Sequence, residues 1–228
     1  MKDNSLIKIG AFLALLMGIV KIIDPILYLI MPAQLRAEVP APVFLPAFNQ
    51  DPSLLMAFFW LEALVGIIGI GLVPVLSSLV RQKSEGWVTW VSNLAIFGYG
   101  VSSVGYLLSI ARLPGIAKAF VDNPSLQPAL AATWKASIDL LGVWGYAAVG
   151  AWLLVVSILA LQNAILPRWL AIVGIATGVL HLLLPFGTYF KIQEILLFVA
   201  IAGFVALPIF YLGVFLHLRK RASVIISS

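Results

Sequence analysis

Lys21 and Asp24 stand three residues apart in the stretch "GIVKIIDPILYLI", Gly18 to Ile30, inside an apolar run. At i and i+3 on a helix an ammonium and a carboxylate share a face and neutralise each other. A lone charge at mid-bilayer costs about 2.5 to 3.5 kcal/mol on insertion scales, so pairing is what makes either residue tolerable there. Pro25 also removes the amide that would bond the carbonyl of Lys21, which leaves a free acceptor and a kink beside the pair. Such a device suits a hydrated or ligand-filled cavity. The plainer reading is a buried structural ion pair that fixes helix register.

Four further ionisable residues fall within apolar stretches: Glu62, Asp139, His181 and Glu194. With Lys21 and Asp24 they are the candidate lining of a polar cavity. Each has a structural alternative. Glu62 can serve simply as the partner of Lys21 across a helix interface, or stay protonated and hydrogen-bonded. Asp139 follows Lys135 by four residues, and Glu194 follows Lys191 by three, so both fit interfacial i, i+4 and i, i+3 pairs. His181 fits an interhelical hydrogen bond as well as ligand or proton handling.

The elements that must position these residues are transmembrane helices. Of the 228 residues 62% are hydrophobic and 10% charged, and the mean hydropathy is +1.10, far from the soluble average of roughly a quarter charged residues. A crossing needs about 20 apolar residues. Six stretches qualify: 6–31, 53–80, 87–110, 136–161, 166–185 and 190–218. The expected fold is therefore all-α, a single six-span bundle forming one domain over 1–228, with loops at 32–52 and 111–135. The first run, which continues to Met31, is expected as a retained span rather than a signal peptide. The first loop is rich in proline yet holds Phe44 and Phe48, so it reads as a folded loop or a partly re-entrant lid. The second reads as a short amphipathic helix with a turn at "DNPS".

Lys and Arg near the span ends set the expected orientation. Lys2, Lys8, Arg81, Lys83, Arg168, Arg219, Lys220 and Arg221 collect on one side; Arg36, Arg112, Lys118, Lys135 and Lys191 collect on the other. Both termini are thus expected inside and both long loops outside. Trp87, Trp90 and Trp169 at the inner ends and Trp134 at an outer end are expected as interface anchors.

At 1.5 Å of rise per residue, Lys21 and Asp24 lie about 18 and 22 Å into a first span of roughly 33 Å, in its outer half. Glu62 lies about 12 Å from the outer end of the second span and His181 about 8 Å from that of the fifth. The faces agree with the depths. Gly10, Ala14, Gly18 and Lys21 share a stripe, as do Glu62, Gly66 and Gly69; Asp139, Gly142, Tyr146 and Gly150; and Gly174, Gly178, His181 and Pro185. Small residues mark close helix approach, so the costly side chains should point into the bundle.

Other chemistry is missing from the sequence. There is no cysteine, which removes disulfides, iron–sulfur clusters and thiolate metal sites. His181 and His217 fall at opposite ends of neighbouring spans, too far apart to ligate one haem iron. "GYGVSSVG", Gly98 to Gly105, has the look of a phosphate loop but sits inside a span, where helix packing explains its glycines. No nucleophile, metal set or cofactor motif accompanies the carboxylates, so the sequence argues against an enzyme and identifies no cofactor. The basic residues are scattered, and their densest cluster, "HLRKR", flanks a span, so nucleic acid is not an expected partner.

Three segments carry a resemblance to a known family: "NSLIKIGAFLALL" in the first span, "LVPVLSSLVRQKSEG" leaving the second, and above all "LPRWLAIVGIATGVL" opening the fifth. Together they resemble the bacterial six-span membrane family called domain of unknown function 4386, over most of the chain from Asn4 to Arg221. The resemblance implies a multi-pass protein of the bacterial cytoplasmic membrane and supplies no catalytic residues. The expected function is non-enzymatic binding of a small or amphiphilic ligand, of lipid or quinone type, in a polar cavity in the outer half of the bundle. The alternatives are an accessory subunit bound to partner membrane subunits, and a small proton- or cation-coupled carrier.

Overall fold

Local sequence explains where each helix begins and stops. The computed structural model describes residues 4–36, 39–135 and 142–226. Helix α1 (Asn4–Ile30) is an unbroken apolar segment with Pro25 inside it. Pro40 precedes α2 (Ala41–Gln50), and Pro52 precedes α3 (Ser53–Val80); proline suits a helix start, where its missing amide has no partner to lose. Helix α4 (Glu85–Asp122) follows a single 3-10 turn. A second such turn at Pro124–Leu126 leads into α5 (Gln127–Thr133). Helix α6 (Val143–Gln162) starts after Gly142, whose φ of 69° is the left-handed conformation that favours glycine. Pro167 opens α7 (Arg168–Tyr189). The last span comprises α8 (Gln193–Ile201), a π-helical turn at Ala202–Ala206, and α9 (Leu207–Ile226).

Among the described residues six helices are long and apolar enough to cross a bilayer: Ser5–Ile30, Ser53–Lys83, Glu85–Asp122, Val143–Gln162, Arg168–Tyr189 and Gln193–Ala222. The described residues contain helices and no strand, so the chain is an all-α, multi-pass membrane protein. Each span packs chiefly on its neighbours in sequence, α1 on α3, α3 on α4, α4 on α6, α6 on α7 and α7 on α8, and α9 returns to α1. The six spans therefore close into a ring. One large cluster fills it, with Met17, Leu72, Trp152, Leu170, Phe210 and Tyr211 among its most buried members.

Two expectations need correction. The third span does not stop at Ile110, because its helix runs on to Asp122 through Pro114. Leu113, Ala117 and Phe120, at i, i+4 and i+7, bury against α2, and this tertiary contact carries the helix past its proline. The first half of the segment read as a loop is therefore an extension of α4, and the turn at "DNPS" and α5 follow it. Trp134 is not simply an interface anchor, since its ring lies 4.4 Å from that of Phe44. With Phe48 and Leu45 these residues form a second apolar cluster, a cap built by α2, the end of α4 and α5 over one end of the bundle. Trp87, Trp90 and Trp169 are exposed at the opposite end.

Candidate functional site

The site is built where α1, α3, α6 and α7 converge, in the half of the bundle nearest the cap. Asp24 is about 9 Å from the end of α1, Glu62 about 14 Å from the start of α3 and His181 about 12 Å from the end of α7. All three elements present that depth from the same end. Lys21, Asp24, Glu62 and His181 are only 6, 2, 5 and 4% exposed.

Lys21 Nζ donates to Asp24 Oδ2 at 2.9 Å and to Glu62 Oε1 at 2.8 Å. One ammonium thus bridges an acid on its own helix and an acid on the next span. Tyr146 of α6 donates its hydroxyl to Glu62 Oε2 at 2.9 Å, and its ring centroid is 5.8 Å from Lys21 Nζ. Three of the four carboxylate oxygens therefore accept hydrogen bonds. The fourth, Asp24 Oδ1, is buried without a partner.

The charges do not balance internally. Two carboxylates face one ammonium, and a net charge in a low-dielectric interior costs several kcal/mol. Both carboxylates contact the same Lys21 Nζ, and acids held around one site titrate as a pair. A proton or a cation at Asp24 restores neutrality.

His181 extends the site. Its Nδ1 lies 2.8 Å from the carbonyl of Thr177, one turn earlier. A carbonyl only accepts, so Nδ1 carries the hydrogen, and in the neutral form of the ring Nε2 is then an acceptor. The ring sits 5.8 Å from that of Tyr146. It is admitted by α6, because a Cβ at Gly150 would lie 2.8 Å from the Cβ of His181.

These residues line one end of a cavity of about 220 Å³. The other end is apolar and aromatic, formed by Tyr28, Phe58 and Phe204 with Leu184. Phe204 is 42% exposed, so this apolar end reaches the wall of the bundle. It belongs to the π-helical turn, with Gly203 beside it in the lining. A π-turn adds a residue to the helix and frequently accompanies a functional site.

The other half of the bundle interior is polar in a different way. Tyr99 and Tyr211 pair through their hydroxyls at 2.9 Å, and Trp152 donates to Ser77 Oγ, which lies 2.6 Å from Ser92 Oγ. Those groups are neutral and satisfied by one another.

Of the residues expected at the site, the structure brings together Lys21, Asp24, Glu62 and His181. Glu194 is elsewhere. It is exposed in the first turn of α8, after a chain reversal at Lys191, whose φ is +54°. Lys191 is exposed too, and among the described residues no ion pair joins the two. A carboxylate at a helix start interacts favourably with the positive end of the helix dipole, which accounts for Glu194 without a cavity. Asp139 lies outside the described residues.

The sequence places Tyr146 on an inward stripe without marking it as a site residue, and its spacing to Gly150 is the available signal; Gly142, expected on that stripe, instead precedes α6 in the left-handed conformation. Nothing in the sequence marks the π-turn or the aromatic end of the cavity. Among the described residues no group of three or more metal-ligating side chains clusters.

A family model described as domain of unknown function (DUF4386) matches residues 9–219 of the chain. No curated protein and no solved structure matches it.

Proposed function

The chain belongs to the family described as domain of unknown function 4386, and from that premise we propose that it is a non-enzymatic membrane protein that binds a small amphiphilic ligand in the cavity between α1, α3, α7 and the π-turn. The observation that carries this reading is Asp24 Oδ1, a buried carboxylate oxygen without a partner, on the wall of a cavity whose far end is aromatic and reaches the bundle surface. Binding sites of this kind combine mostly apolar walls with a few convergent polar groups. The polar end suits a headgroup. The apolar end suits a chain entering from the bilayer, so the ligand is of lipid or quinone type. A structural ion pair alone would need neither the spare carboxylate nor the cavity.

The ligand site lies in the outer half, with both termini inside and the α2–α5 cap outside, and the membrane is the cell membrane; the excess of Lys and Arg at the uncapped end supports this orientation. A carrier is less well supported than a binder. The interior of the uncapped half holds neutral hydroxyls instead of charges that could pass an ion onward.

The test is native mass spectrometry after mild detergent extraction. Wild type should retain a discrete small molecule. Leu184→Trp, which fills the apolar end, should lose it while keeping the wild-type melting temperature. Identical adducts on both proteins, or none on either, would contradict the reading and favour the accessory-subunit alternative.

A further inference from the structure

The chemistry of the free atoms narrows the ligand class. Among the described residues nothing donates to two side-chain atoms of the lining, Asp24 Oδ1, itself closed off by the surrounding protein, and Nε2 of the neutral His181 ring, and both are acceptors. The other side-chain polar atoms of the charged cluster are committed: Lys21 Nζ to two carboxylates, Glu62 to Lys21 and Tyr146, and the Tyr146 hydroxyl to Glu62. A complementary headgroup must therefore donate, and more than once. The site also carries one carboxylate more than it has ammonium groups, so the matching ligand charge is +1. Its far wall is made of Tyr28, Phe58 and Phe204, and aromatic faces attract cations.

We propose that the cavity recognises an amphiphile with a primary ammonium headgroup, which donates to Asp24 Oδ1 and His181 Nε2 while its chain lies along the aromatic end. A primary ammonium has three donors and no acceptor, which answers both free atoms. A quaternary ammonium has the charge without the donors, an alcohol has one donor without the charge, and a carboxylate has the wrong sign. The cation takes the place of the proton that otherwise neutralises the carboxyl pair, so one proton leaves for each ligand bound. The titratable groups around Asp24 are Lys21 and Tyr28 of α1, Glu62 of α3, Tyr106 of α4, Tyr146 of α6 and His181 of α7; the π-turn "AGFVA" contributes no titratable group. This inference rests on the cavity being a ligand site.

The experiment is isothermal titration of the purified protein in a neutral maltoside detergent at pH 7.5 with dodecylamine, dodecyltrimethylammonium, dodecanol and dodecanoate. Dodecylamine should bind roughly tenfold or more tightly than the other three, the loss expected when a charge-assisted hydrogen bond goes unmade. In two buffers of different ionisation enthalpy it should release close to one proton. Asp24→Asn should lose the preference for dodecylamine over dodecanol. Lysophosphatidylethanolamine against lysophosphatidylcholine decides the source: a preference for the former assigns the ammonium to a lipid headgroup, and binding of dodecylamine alone assigns it to a free amine. Dodecanol binding as tightly as dodecylamine, with no proton released, would overturn the ammonium assignment and leave the cavity as a ligand site. Failure of every probe to bind, together with the wild-type adduct pattern on Leu184→Trp, would overturn both.

Discussion

Gly150 of α6 and Gly178 of α7 each occupy the space a side chain on the other would need: a Cβ on either would lie 2.9 Å from the carbonyl oxygen of its partner. This contact sets the distance between α6 and α7, and with it the approach of His181 to Tyr146. Close approach through small residues is how helices associate where no water drives them together.

Gly178→Leu should therefore destabilise by about 1 to 3 kcal/mol through overpacking, because a Cβ there also meets the Leu154 backbone nitrogen at 2.7 Å. Leu183→Ile, at a position 36% exposed on the same helix, should be nearly neutral. Thermal melts in detergent compare them directly. Equal melting temperatures would mean that the α6–α7 contact does not set the packing.

Tyr146→Phe and Tyr99→Phe each remove one buried hydroxyl, but the bonds differ in kind. Tyr146 donates to a carboxylate, a class worth about 1.5 to 3 kcal/mol, and Tyr99 pairs with the neutral Tyr211 hydroxyl, worth about 0.5 to 1.5 kcal/mol. Chemical unfolding should rank Tyr146→Phe as the more damaging. The reverse order would mean that Glu62 is neutral and that the site carries no excess charge.

Orientation is open to cysteine labelling, since the chain has no native cysteine. Ser125 and Lys83 are exposed beyond opposite ends of α4. With a membrane-impermeant thiol reagent on intact cells, Ser125→Cys should label and Lys83→Cys should be protected. The opposite pattern would invert the bundle and place the cavity in the inner half.

Asp51 supplies a pH-dependent readout away from the membrane core. Its carboxylate accepts the Ser53 amide at 3.0 Å at the start of α3, and hydrogen bonding from the Ser53 side chain, with that amide second, holds its carboxyl below the usual carboxylate range. A depressed folded-state pKa stabilises above the unfolded value and is lost as pH falls through the folded one. Hydrogen exchange, corrected for intrinsic rates, should show wild type better protected than Asp51→Ala at the first amides of α3 at neutral pH. The difference should shrink only below about pH 4. A difference that does not change with pH would remove the charge from the capping role.

Much of this architecture was legible because bilayers constrain sequences strongly. Lys21 and Asp24 declared their pairing through i, i+3 spacing alone, and depth plus a small-residue stripe were enough to bring in Glu62 and His181. Depth without tertiary context misplaced Glu194, since the reversal at Lys191 leaves it at an exposed helix start. The extension of α4 past Pro114 was illegible for a related reason: the proline's local signal is overridden by burial of Leu113, Ala117 and Phe120 against α2. The π-turn at 202–206 inserts one residue into a helix without any change of composition, so periodicity could not reveal it.

The central claim is that Lys21, Asp24 and Glu62 form one coupled site, and a double-mutant cycle on stability tests it most directly. Lys21→Met alone strands two buried acids and should cost about 3 to 5 kcal/mol. Adding Glu62→Gln removes one of them, so Lys21→Met with Glu62→Gln should recover at least about half of that loss, a coupling well beyond the additivity seen for independent sites. If the two substitutions instead add within roughly 0.5 kcal/mol, the charges do not act together and the site as described here does not exist.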